Sequence, residues 1–71
     1  MHIGNRVQQV LREQERSVTW FAEKLCYTRS NAYKIFERSS IDTFLLQRIS
    51  KILNHNFFED LSEELSKPVE K

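Results

Sequence analysis

One glycine and one proline in 71 residues constrain this chain more than any other feature. Hairpins rely on Gly- and Pro-containing turns, so an all-β fold has almost no turn chemistry to draw on here. The apolar residues fall at helical spacing instead. Ile3, Val7, Val10 and Leu11 stand at i, i+4, i+7 and i+8, one stripe of a first helix running from Ile3 to about Gln14. His2 lies at an end expected to fray.

Short polar joints then divide the chain into further helices. Arg16-Ser17 interrupts the first stripe, and Ser17 reads as an N-cap whose hydroxyl accepts from an otherwise unpaired amide. The second helix, about Val18 to Leu25, buries Phe21, Ala22 and Leu25, with Trp20 as a partly exposed flank. At about two turns it depends on packing against its neighbours. Cys26-Tyr27 form the next joint and Thr28 caps a third helix, Arg29 to about Phe36, with Ala32, Ile35 and Phe36 inward. After the polar Arg38-Ser39-Ser40, a fourth helix runs from about Ile41 to Leu53. Its stripe of Ile41, Phe44, Leu45, Ile49, Ile52 and Leu53 makes it the central core helix, with Asp42 in its positive first turn. Asn54-His55 close it, where a cation at His55 would suit the helix dipole. Asn56 and Glu59 have the spacing of a capping box. The last helix, about Phe57 to Ser66, carries Phe57, Phe58, Leu61 and Leu65. Either both phenylalanines reach the core or one feeds a dimer contact. The expected organisation is one domain over residues 1–66 and a charged tail at 67–71, in an all-α, five-helix architecture.

Composition narrows the function. The longest clean apolar run is Phe44-Leu45-Leu46, far from the ~18 residues of a membrane span, and no export signal is visible at the N-terminus. A single cysteine suits a reducing, cytoplasmic interior. Catalysis is not expected: His2 and His55 are far apart, and Cys26 has no evident histidine base. No Cys/His spacing matches a metal ligand set, and no cofactor or small-molecule substrate is implied. The net charge of +1 conceals a division. Residues 1–38 carry seven Lys or Arg against four Glu, whereas 39–71 carry four against six acidic residues. Positive charge gathered in the first half suits an anionic partner.

The stretch Phe21 to Phe36, FAEKLCYTRSNAYKIF, resembles the helix-turn-helix of the lambda-repressor-like (Cro/C1, or XRE-type) DNA-binding domains. Phe21-Ala22 fill that family's leucine-alanine positions, Tyr27 its aliphatic one and Thr28 its Ser/Thr cap, while Ala32 and Ile35 match its inward anchors. Ser40-Ile41-Asp42-Thr43 and the apolar helix to Leu53 extend the likeness, which covers about Ile3 to Leu61. Two positions depart from the pattern. The family's turn glycine is Cys26 here, where a left-handed backbone would carry a Cβ penalty of ~1–2 kcal/mol, so the turn either shifts its geometry or is strained. The Gln often found at the start of the second helix is Val18, so that phosphate contact either falls to backbone amides or Ser17 or is absent.

The resemblance implies a small transcriptional regulator that binds double-stranded DNA, with the third helix in the major groove. Arg29 is then the candidate for direct readout, since a guanidinium can pair with O6 and N7 of guanine. Thr28 and Ser30 would touch a phosphate or a thymine methyl, and Asn31 would either do the same or cap locally. Tyr33 would lie on the helix flank, Lys34 on a phosphate, and Lys24 and Arg38 would clamp the backbone on either side. A homodimer through the C-terminal helix would match a palindromic site. The competing expectation is a protein-interaction module or antitoxin-type partner that keeps the fold with weak or no DNA affinity.

Overall fold

Each helix begins where a side chain takes up amides that the first turn leaves without partners. The computed structural model describes residues 1–66; the charged tail expected at 67–71 lies outside them. Within that range the chain is all-α, with α1 (Ile3–Glu13), α2 (Val18–Leu25), α3 (Arg29–Phe36), α4 (Thr43–Leu53) and α5 (Phe57–Ser66). Ser17 Oγ accepts from Trp20 N at 3.0 Å and Thr28 Oγ1 from Asn31 N at 3.2 Å, as a cap should. Asn56 Oδ1 accepts from the amides of Phe58 and Glu59. His2 is not a frayed end: its Nδ1 accepts from Asn5 N at 3.1 Å and caps α1.

Asp42 corrects the expected start of the fourth helix. Its backbone is extended and its Oδ1 accepts from Leu45 N at 2.9 Å, so it is the cap rather than a first-turn residue. Ile41 is therefore outside the helix, although it still packs into the core at 9% exposure. Phe44, expected in the core, is 71% exposed. With the helix starting at Thr43, Phe44 stands about 160° around the axis from Leu46, and the inward stripe is Leu45, Leu46, Ile49 and Leu53. Leu65, read as part of the apolar stripe of α5, is 88% exposed.

Three helices end in one and the same way, without glycine. Glu15, Cys26 and Asn54 have φ of 57°, 61° and 51°, the left-handed region that ordinarily favours glycine. In each, the left-handed residue donates to the carbonyl three back: Glu15 to Arg12, Cys26 to Glu23, Asn54 to Lys51. The next amide donates five back: Arg16 to Leu11, Tyr27 to Ala22, His55 to Ser50. This paired pattern is the Schellman motif, and it satisfies carbonyls that a helix end leaves open. One residue further on, Ser17, Thr28 and Asn56 cap the next helix, so each joint is as short as the geometry allows.

The core is filled from all five helices. Phe21, Leu25, Ile35, Leu46, Ile49, Leu53, Val7 and Phe57 are its largest fully enclosed side chains, each contributing roughly 1.5–3 kcal/mol by leaving water. α2 packs on both α3 and α4, and α1 packs on α3. The Phe21 and Phe36 rings stack across α2 and α3 with centroids 5.8 Å apart. The α3 exit has no left-handed residue and is closed by another helix: Ile3 N donates to Ser39 O and Gly4 N to Arg38 O, the latter at 2.9 Å. A Cβ on Gly4 would sit 2.5 Å from the carbonyl oxygens of Ile35 and Phe36 and 2.6 Å from that of Arg38. The one glycine thus allows α1 to approach the end of α3.

Candidate nucleic-acid interface

The inward stripe of α3 is Ala32, Ile35 and Phe36, and this decides where its other residues stand. At 3.6 residues per turn, Ser30 and Lys34 face directly away from the core, Arg29 and Tyr33 share one flank, and Asn31 takes the other. All five are exposed. Tyr33 keeps 44% of its surface open and sets its ring edge-on to Phe36, with centroids 6.0 Å apart. Between Arg29 and Phe36 there is no acidic residue. Among the described residues, Lys24, Arg29, Lys34 and Arg38 form no ion pair.

Thr28 is exposed, and its hydroxyl is occupied as the acceptor that caps α3. The amides of the first turn ahead of Asn31 have no acceptor within the helix, so positive partial charge collects where Arg29 and Ser30 stand. This end of α3 is presented by the Cys26 joint. Of the two alternatives for this turn, the structure has the left-handed one: Cys26 lies at φ 61° and ψ 37° rather than in a shifted geometry.

The remaining expected contacts spread over two other places. Ser17 caps the far end of α2, a helix length from the joint, about 12 Å for eight residues. Lys24 is exposed in the last turn of α2, and its Nζ lies 6.0 Å from the Trp20 ring centroid. The Arg16 guanidinium covers that ring at 4.4 Å, so Arg16, Trp20 and Lys24 make a cationic ladder along α2 that sequence reading had not assembled. Arg38 lies past the other end of α3, its carbonyl held by Gly4 and its side chain exposed. Thr28 to Lys34 are thus brought together on one helix, while Ser17 and Arg38 lie at the margins.

No protein-family model, curated protein or solved structure matches this chain. The chemistry must be read from its own side chains. Two surface clefts of the described residues lie away from α3, one lined by Met1, Arg6, Asp60, Glu63 and Glu64 and another by Ser50, Lys51, Asn54, His55 and Asn56. At the first, Asp60 Oδ2 accepts from Arg6 Nε at 3.0 Å and lies 2.7 Å from His55 Nε2. Burial alone would raise the Asp60 pKa. The hydrogen bonds from His55 and Arg6, together with their charges, outweigh burial and hold it below the ordinary 3.8. These groups join α1, α5 and the joint before α5, and serve the fold. No helix of the described residues is long and apolar enough to cross a membrane.

One residue that sequence reading passed over bears on the interface. Arg48, half-buried on α4, donates from Nη2 to Leu25 O at 3.0 Å. The available signal was a lone cation between the inward residues Leu46 and Ile49, but only the tertiary fold supplies its acceptor.

Proposed function

We propose that this protein binds double-stranded DNA sequence-specifically, as a small transcriptional regulator with a lambda-repressor-like arrangement in which α2 and α3 form the helix-turn-helix. α3 lies in the major groove. Arg29 and Ser30 meet base edges from its N-terminal turn, Lys34 and Tyr33 follow the groove wall, and Lys24 and Arg38 take phosphates on either side. The observation that carries this reading is the Cys26 joint. Its left-handed backbone falls at the position where the resembling family has glycine, and it delivers a Thr28-capped helix whose exposed face is basic and free of carboxylates. A solvated face with no partner has no need of that asymmetry.

Fluorescence anisotropy with a mixed-sequence duplex, titrated at several salt concentrations, tests the proposal. Binding should weaken steeply with salt, and Arg29→Ala/Lys34→Ala should lower the affinity and reduce the salt slope by about one, the share of Lys34 on the groove wall, since Arg29 meets a base edge. The competing reading, a module that binds protein instead, draws on Phe44, an aromatic ring 71% exposed at the start of α4. It requires a flat titration at low salt from a folded protein, and that result would remove the DNA reading.

A further inference from the structure

The joint that presents α3 holds a backbone conformation its own residue disfavours, and the contact that steadies it comes from another helix. Of the last four carbonyls of α2, those of Ala22 and Glu23 are taken by the amides of Tyr27 and Cys26. The carbonyl of Leu25, next to the left-handed residue, points toward α4 and receives Arg48 Nη2 at 3.0 Å. A guanidinium at the negative end of a helix is favoured by the dipole as well as by the hydrogen bond. Arg48 forms no ion pair among the described residues, so no carboxylate competes for it. α4 is itself fixed by Leu45, Leu46, Ile49 and Leu53 in the core. The bond therefore ties a strained surface turn to a helix anchored in the core.

We propose that Arg48 is a positioning residue: by clamping the Leu25 carbonyl it holds the Cys26 turn, and through it the pose of α3. Its effect on DNA rests on the function proposed above; its effect on the turn does not. Arg48 itself touches no nucleic acid. Arg48→Met keeps an apolar stem and removes the donor, whereas Arg48→Lys keeps a cation able to make one bond.

Two measurements on the intact protein separate the possibilities. Amide hydrogen exchange, read without DNA, should show the Cys26 and Tyr27 amides exchanging about tenfold faster in Arg48→Met, with His55, at the equivalent position after α4, unchanged. Arg48→Lys should recover part of the protection. Anisotropy should then show the affinity of Arg48→Met for duplex DNA reduced about tenfold with its salt slope unchanged, because no phosphate contact is lost. Unchanged exchange at Tyr27 would overturn the clamp. A slope reduced by about one would make Arg48 a phosphate contact, and unchanged affinity beside faster exchange would remove its positioning role. A wild-type protein that ignores DNA would overturn the reading of the face, while the exchange rates would still decide the clamp.

Discussion

The joints after α2 and after α4 use the same hydrogen bonds, but the helices that follow them are held by different forces. Each has a left-handed residue, Cys26 or Asn54, then one spacer, Tyr27 or His55, then a capping residue, Thr28 or Asn56. In each, the carbonyl of the last helical residue is taken by a distant side chain: Leu25 O by Arg48, and Leu53 O by Gln14 Nε2 at 2.6 Å. Beyond the joints the likeness ends. α3 buries Ala32, Ile35 and Phe36, whereas Phe57 is the only fully buried side chain of α5 among the described residues. What fastens α5 besides Phe57 and the half-buried Phe58 and Leu61 is charge, through Arg6, His55 and Asp60. One backbone device can therefore end in a helix locked by packing or in one held by ion pairs, and the two should fail under different conditions.

The largest effect is expected at the α3 exit, which α1 closes by close packing and two backbone hydrogen bonds. Gly4→Ala would drive a methyl group into three backbone carbonyls that no side-chain rotation can clear. Overpacking typically costs ~1–3 kcal/mol, and the upper end applies because α1 must withdraw from α3. A urea titration should show the loss. A cost under about 0.5 kcal/mol would mean that the two helices are not locked together. A smaller effect of opposite sign is expected at the joints. Cys26→Gly removes a penalty of ~1–2 kcal/mol and adds a glycine entropy cost of ~0.5–1 kcal/mol. The protein should gain about 0.5–1 kcal/mol, whereas Asn54→Gly should be close to neutral because asparagine tolerates this conformation. Equal responses at the two joints would break the comparison.

The elements the sequence reveals are those that depend on local physics. The stripes of α1, α2 and α3 and the caps Ser17, Thr28 and Asn56 follow from period and hydrogen-bonding capacity, which neighbouring residues decide. Phe44 misled because an apolar run at a helix start does not say which residue is the cap; the Asp42 carboxylate settles the start and rotates Phe44 outward. Gly4 and Arg48 were illegible for another reason. Gly4 reads as a poor helix former until the carbonyls of Ile35, Phe36 and Arg38 are seen beside it, and Arg48 has no partner until α4 crosses the end of α2. For the candidate interface, the residues of α3 and its inward stripe of Ala32, Ile35 and Phe36 were both legible, and at helical spacing that stripe puts Ser30 and Lys34 at the centre of the exposed face and Arg29 on its flank.

The smallest predicted effect separates the two joints by acid. Ionised Asp60 can only accept, so the proton of its 2.7 Å contact with His55 sits on Nε2, and Arg6 donates to the same oxygen. The Asp60 pKa is held below 3.8 in the fold, while the unfolded chain keeps an ordinary value. A group depressed in this way stabilises the fold fully above its unfolded pKa and ceases to do so as pH falls through the folded one. Partly exposed pairs of this kind contribute ~0.2–1 kcal/mol. Between pH 7 and pH 3 the protein should therefore lose more urea resistance than Asp60→Asn, which starts weaker and falls less. Hydrogen exchange locates the loss: in acid, protection relative to intrinsic exchange should drop first at the His55 amide and along α5. The Tyr27 amide should keep its protection, because α3 is held by the packing of Ala32, Ile35 and Phe36 and takes part in no ion pair among the described residues. If both joints loosened together, ion pairing would not be what distinguishes α5 from α3, and the pairs at Asp60 would be incidental to a domain that opens as a single unit.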